Sequence, residues 1–417
     1  MSVSDHFSEK LISEFKKLSN NINECKNFLL RIDKSDESDE ITLIYIYLYI
    51  CKLTEDNDIK NKYSRKANNI YLKYFSNKTS ILNEIDWIEL KLYNYNLSEL
   101  FNDDVYCLKE SAEITNGRCL FKENDVIFYR YKIEKQIGKG TYSNVYKCLD
   151  YKRTQHVAIK AVRNDSKFVN SGRKEIIILE KLNHKSICNF IKYFNIEQHY
   201  FIVFQLLKGN IYQYVKSTRF EPMKPHIVSQ IAKQLIPVLV YIKSIDVIHA
   251  DIKPENILIH KINDENISVK LSDFGSALKK SDNFTGYIVS RYYRAPEITL
   301  EKKGCCDYAI DMWSLSTIIY ELLIGSPLFP EKTEKILIYA ILKELGFPNQ
   351  EFLYNCKKRK LLESQVEDIN SYSPYEKISN IKDIDMNAYE YLCDTLVWNK
   401  EDRINCDAAE NHKYLLN

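Results

Sequence analysis

His249-Ala250-Asp251-Ile252-Lys253-Pro254-Glu255-Asn256 is the stretch on which the reading of this chain turns. It crowds an acid, a lysine and an amide into one loop, groups that can take a proton, neutralise an anion and hold a metal. Seventeen residues beyond the amide, Asp273-Phe274-Gly275 supplies a second acid ahead of a flexible glycine. An H-x-D-x-K-x-x-N octet followed by D-F-G at this spacing is far too specific to be an accident of composition.

Matching parts lie upstream in a fixed order. Ile137-Gly138-Lys139-Gly140-Thr141-Tyr142-Ser143-Asn144-Val145 reads as a glycine-rich loop between two strands. Glycines let the backbone turn and approach phosphates without a Cβ clash, although Ser143 occupies the third glycine position. Val157-Ala158-Ile159-Lys160 is an apolar strand ending in a cation. Glu175, in Gly172-Arg173-Lys174-Glu175-Ile176-Ile177-Ile178-Leu179, is the carboxylate expected to hold that lysine. Glu180, five residues on, faces another side of the same helix.

Together these motifs resemble the protein kinases. The resemblance implies an α+β, bilobal kinase fold with ATP and Mg²⁺ as cofactors. Asp251 would take the proton of the substrate hydroxyl, and Lys253 would neutralise charge on the transferred group. Asn256 and Asp273 would hold the metal, and Lys160 with Glu175 would fix the α/β-phosphates. The glycine loop (Ile137, Gly138, Lys139, Gly140), Val145 and Ala158 would line the nucleotide site. Tyr200-Phe201-Ile202-Val203-Phe204 reads as the strand into the hinge, with Phe204 beside the adenine and Leu207 in the hinge itself.

Residues 129–206 are expected to form the small β-rich lobe, and the helical lobe starts near residue 211. Pro222 to Ile245 reads as one long helix, and Asp311-Met312-Trp313-Ser314 starts a buried one. Asp311 is then a carboxylate in an apolar setting that needs fixed hydrogen bonds, and in kinases it ties down the catalytic loop. Glu297 is expected to pair with Arg403.

Outside residues 129–417 the expectation is a small helical module over 1–105 and a linker over 106–128. Apolar residues recur at helical spacing in 8–32, 39–55, 60–76 and 80–101, with polar breaks between. The apolar run Ile41 to Cys51 is half the length of a spanning helix, so a buried helix is the better reading. Formal net charge is +2, which gives no reason to expect nucleic acid or membrane as a partner. Eleven cysteines lie without metal-ligand spacing and read as reduced thiols. Met1-Ser2-Val3-Ser4-Asp5 does not read as a signal peptide, so the expected location is intracellular, nucleus or cytoplasm. The basic run Lys357-Lys358-Arg359-Lys360 reads as a solvated helical face. Expected partners are protein substrates, with the N-terminal module free to recruit a further protein.

More specific stretches resemble the dual-specificity tyrosine-regulated kinases, the DYRK family. They include Tyr129-Arg130-Tyr131-Lys132-Ile133, His156-Val157-Ala158-Ile159-Lys160-Ala161-Val162-Arg163-Asn164 and Tyr292-Tyr293-Arg294-Ala295-Pro296-Glu297. The resemblance covers roughly residues 124–416. Ala250 stands where that family has Cys, as in the related homeodomain-interacting and pre-mRNA-processing kinases, and Ser316 replaces a glycine. Gln213 replaces an acid, which removes one attraction for an upstream arginine in the substrate; Glu255 remains. Of the family's paired activation-loop tyrosines only Tyr287 is kept. The resemblance implies that Tyr287 phosphorylates itself, its phosphate being held by Arg291 and Arg294, four and seven residues on. The alternative is a pseudokinase scaffold, but Lys160, Asp251, Asn256 and Asp273 are all intact.

Overall fold

The computed structural model describes residues 113–115, 118–127, 131–140, 143–150, 153–196, 199–282, 288–302, 304–363 and 375–416. It also describes Asn27, Lys62 and Lys66, which are helical and exposed. The rest of the module expected over 1–105, and Tyr287, lie outside the described residues. The chain divides into two compact units. One runs up to Arg163 and includes Phe194–His199; the other comprises Asn164–Tyr193 and Tyr200–Asn417.

The first unit is an antiparallel meander of β3 (Val126–Ile127), β4 (Tyr131–Lys139), β5 (Ser143–Asp150) and β6 (Gln155–Val162). Alternation makes the strands: Tyr131 and Ile133, Tyr146 and Cys148, and Val157 and Ile159 all point into one core. On the solvent side Glu134 pairs with Lys147 and His156, each at 2.7 Å, which ties three strands together. Register sets Val145 opposite Lys160 and Lys139 opposite Asn144.

Within 106–128, the stretch expected as a linker, the described residues include short strands. Glu113–Thr115 (β1) and Arg118–Leu120 (β2) form a hairpin, and β2 lies against β5 and β6. Cys119 is buried, its carbonyl takes the Tyr146 hydroxyl proton at 3.1 Å, and Phe121 meets the Tyr146 ring edge-on at 5.3 Å. Three-residue strands are too short to show a period, so only their docking against Tyr146 reveals them.

The second unit is mainly helical. Its principal helices are α1 (Ser166–Leu179), α2 (Ile211–Ser217), α3 (Pro225–Ser244), α4 (Pro296–Thr299), α5 (Ala309–Ile324), α6 (Glu334–Leu345) and α7 (Met386–Thr395). α3 is the helix expected from Pro222 to Ile245, started by Pro225 in the first turn, where its missing N–H costs nothing. α5 is buried on every side, with Trp313 stacked on Phe329 at 6.0 Å. A helix buried on every face belongs inside a core, and its polar residues then need partners there. Strands β7 (Phe190–Ile196) and β8 (His199–Gln205) form a hairpin whose turn end belongs to the first unit. Three further strands, β9 (Gly209–Asn210), β10 (Ile257–Ile262) and β11 (Ile267–Leu271), form a small sheet in the order β11-β10-β9. Asn256 ends the turn before β10 and Asp273 follows β11, so the two metal-ligand candidates flank this antiparallel pair. No helix of the described residues is long and apolar enough to cross a membrane.

Candidate active site

The octet His249–Asn256 is an irregular loop that side chains hold from below. Asp311, near the start of α5, accepts the backbone N–H of His249 at 2.7 Å on one oxygen and that of Ala250 at 3.0 Å on the other. Burial pushes the Asp311 carboxyl up, while His249 and the two backbone donors pull it back. Ala250 adopts φ +60°, a left-handed conformation that this double anchor supports. His249 donates from Nε2 to Ser272 O at 3.0 Å, which leaves Nδ1 to accept the Asp251 N–H at 3.3 Å. Its ring also meets Phe274 edge-on at 4.8 Å.

Both oxygens of Asp251 are engaged. Oδ2 accepts Lys253 Nζ at 2.6 Å and, at 3.4 Å, the Asn256 amide. Oδ1 accepts the Ser290 hydroxyl at 2.8 Å and the Ser290 N–H at 3.2 Å. Lys253 in turn reaches the Ser290 oxygen at 3.2 Å. Ser290 therefore joins the acid to the lysine, a role that reading motifs did not assign to it. Its position, 39 residues past Asp251 in a loop, carries no spacing signal.

Asn256 is buried and donates its amide N–H to the Asp251 carbonyl at 2.8 Å, an arrangement that reserves its side-chain oxygen for other use. Asp273 sits at φ +63° and its carboxylate accepts Gly275 N–H at 3.3 Å. Ser272 bonds Asn256 O through both N–H and hydroxyl at 2.9 Å, tying the two ligand candidates through adjacent backbone. An amide oxygen and an exposed carboxylate fit Mg²⁺, which takes few protein oxygens and completes its shell with water and phosphates. The Phe274–Ser276 turn packs against α1, the helix that carries the buried Glu175.

In the first unit Ile137, Lys139 and Gly140 are exposed and Gly138 half-buried, while Lys160 is buried on β6 beside half-buried Ala158. The glycine turn is closed by Gly140 N–H to Ser143 O at 2.9 Å. In the second unit Phe204 lies edge-on to Phe190 at 6.3 Å, and Gln205 N–H bonds Asn189 O at 2.9 Å, leading to a half-buried Leu207. Gln213 is occupied as a helix cap: its N–H and side-chain oxygen bond Asn210 at 2.8 and 3.2 Å.

The two arginines expected to receive the Tyr287 phosphate have partners already. Arg294 is buried, donating to Val289 O at 2.8 and 3.1 Å and to Glu334 at 3.3 Å. Arg291 donates to the Lys332 carbonyl. The expected Glu297–Arg403 pair is present, bidentate at 2.8 and 3.1 Å, with both side chains fully buried.

Comparison with known proteins identifies the family. The Protein kinase domain family matches residues 131–415. The chain is 31% identical over 363 residues to dual specificity tyrosine-phosphorylation-regulated kinase 4 of Homo sapiens, covering 82% of this chain and 69% of the human protein. That share is larger than residues 124–416 alone, so the likeness reaches further towards the N-terminus than the motifs did. A putative dual specificity tyrosine-phosphorylation-regulated kinase 3 homolog of Drosophila melanogaster is 38% identical over 250 residues, 58% of this chain and 30% of the fly protein. Serine/threonine-protein kinase ppk5 of Schizosaccharomyces pombe is 30% identical over 370 residues, 81% of this chain and 43% of that protein. Against two of these three relatives the chain thus spans less than half of their length. A catalytic loop anchored on Asp311, an intact set of metal-ligand candidates and these matches lead to one conclusion: the chain belongs to the protein kinases and, within the CMGC group, to the dual-specificity tyrosine-phosphorylation-regulated kinase family.

Proposed function

We propose that this chain transfers the γ-phosphoryl group of ATP to serine and threonine hydroxyls of protein substrates, and phosphorylates its own Tyr287. The observation that carries the reading is the fixed Asp251 carboxylate, held by Lys253, Asn256 and Ser290 in one network. Asp251 orients the substrate hydroxyl and takes its proton, and Lys253 neutralises the charge on the transferred group. Asn256 and Asp273 supply the oxygens for Mg²⁺, which when bound offsets charge on the phosphates. Lys160 holds the α/β-phosphates, and the hinge around Leu207 offers backbone groups to adenine. Arg291 and Arg294 receive the Tyr287 phosphate, which must compete with Glu334 and two carbonyl oxygens for them. Neutral Gln213 leaves exposed Glu255 as the acid for a basic residue upstream in the substrate.

A scaffold without catalysis is not favoured, because the sequence keeps Lys160, Asp251, Asn256 and Asp273. The deciding experiment is radiometric phosphorylation of a generic basic protein by the intact chain and by Asp251→Asn. Loss of the proton acceptor lowers turnover by about 10²-fold or more. Equal incorporation by the two proteins would remove the catalytic reading.

A further inference from the structure

The β1–β2 hairpin places one cation on the glycine turn. Arg118, the first residue of β2, donates from Nη1 to Gly140 O at 2.9 Å and to the Asn144 side-chain oxygen at 3.2 Å. Asn144 is buried, and its amide nitrogen points the other way, to Cys119 O at 3.4 Å and the Tyr146 hydroxyl at 3.5 Å. One asparagine thus links both ends of the contact, taking the arginine on its oxygen and returning a bond to the backbone next to that arginine.

β2 itself cannot drift. Besides the Tyr146 bond to Cys119 O, the Cys119 sulfur lies 3.3 Å from His199 Nδ1, with both residues buried. The Phe121 N–H bonds the Tyr146 hydroxyl at 3.4 Å. Arg118 therefore reaches Gly140 from a fixed base rather than from a loose tail.

Gly140 lacks a side chain to restrict its backbone, and nothing nearer than Ser143 O at 3.6 Å would meet a Cβ there. Its N–H is tied to Ser143 O and its carbonyl to Arg118, so both of its backbone polar groups are fixed. A glycine held at both ends samples fewer conformations before ligand arrives, and a site ordered in advance loses less entropy on binding.

We propose that Arg118 is a positioning residue for the nucleotide: it holds the glycine-rich turn in the conformation that receives the phosphates. The proposal rests on the kinase reading given above, because it takes that turn as the phosphate loop. The role belongs to a residue ahead of β4, outside the region matched to the kinase domain family.

The test compares the intact chain with Arg118→Ala, Arg118→Met and Arg118→Lys. Methionine keeps an apolar stem but no donor, which guards against a packing defect in the alanine protein; lysine keeps a charged donor. Binding of a fluorescent ATP analogue in Mg²⁺ buffer, ATP KM and kcat, and hydrogen exchange across 137–145 without nucleotide are measured on each. Arg118→Ala and Arg118→Met should weaken nucleotide binding roughly three- to tenfold, the drop expected if the competent turn is populated that much less often. ATP KM should rise in step with unchanged kcat and protein-substrate KM, exchange across the loop should quicken, and Arg118→Lys should recover part of the loss. Wild-type affinity and exchange in Arg118→Met would overturn the positioning role. Failure of the unaltered chain to bind the nucleotide analogue would instead overturn the kinase reading, and the Arg118 role with it.

Discussion

At Glu321 burial and hydrogen bonding pull in opposite directions. Burial drives its carboxyl up to about 7, although the Tyr293 hydroxyl donates to it at 2.9 Å, and the charge of Glu255 adds to the rise. A carboxyl raised in the folded state favours folding fully below its unfolded value of about 4.3, and that contribution fades as pH climbs through about 7. Glu321→Gln keeps an acceptor for Tyr293 but cannot ionise. In urea titrations the variant should therefore gain on the wild type between pH 5 and pH 8, by up to about 3 kcal/mol. Parallel stability profiles would mean that Glu321 titrates as an ordinary surface acid. Arg403 makes the opposite case, a buried charge whose two terminal nitrogens are both paired. Beyond Glu297 it donates to Ala309 O at 2.8 Å and Val397 O at 2.9 Å, and lies 5.1 Å over the Trp313 ring. Arg403→Met should cost about 3–5 kcal/mol by leaving Glu297 buried and unpaired. Adding Glu297→Gln to that variant should restore part of the loss, and an additive result in denaturant melts would deny the coupling. The Glu297–Arg403 pair was legible from the motif residues, whereas Glu321, its Tyr293 partner and its pH sensitivity were not, since burial on α5 creates them.

Among the elements, α5 shows how a single backbone position ends a helix. Gly325 caps it at φ +84°, with its N–H on Glu321 O at 2.7 Å. A Cβ there would sit 2.2 Å from the Phe220 carbonyl, which is backbone and cannot swing away. Gly325→Ala combines a left-handed penalty with that clash, so a loss of about 2–4 kcal/mol is expected in chemical denaturation. A change below about 1 kcal/mol would mean that the loop around Phe220 relaxes freely. Long elements such as α3 and α5 were readable because their apolar residues persist over many turns. The β1–β2 hairpin was not, because its identity depends on Tyr146 and Asn144 more than twenty residues away.

For the molecule as a whole, the proposed self-modification links catalysis to the ordering of the activation segment. Protein made alone in a bacterial host should carry phosphate on Tyr287, and Asp251→Asn protein should not; intact and peptide mass spectrometry decides it. Tyr287→Phe should lower activity or the melting midpoint while leaving nucleotide binding in place. Unmodified Tyr287 in fully active enzyme would mean that contacts already present, such as Arg294 with Val289 and Glu334, order the segment without phosphate. Lys160→Met should abolish turnover without unfolding the chain, as followed by radiometric assay and circular dichroism together.

Sequence alone carried the family and the proposed chemistry. The order glycine loop, Lys160, Glu175, Asp251, Asn256, Asp273 is a local record, because each group is expected to work through its own side chain and a short stretch around it. It also made the β-rich and helical stretches legible, since strand alternation and helical spacing are properties of neighbours in the chain, although α1, expected in the small lobe over 129–206, falls in the second unit. Tertiary structure decided what those side chains can spare. It showed Ser290 joining Asp251 to Lys253, Gln213 spent on a helix cap, Arg294 buried against Glu334 and Arg118 resting on Gly140. Each of these depends on a partner brought close by folding, and hydrogen bonding and burial act over ångströms of space rather than along the chain.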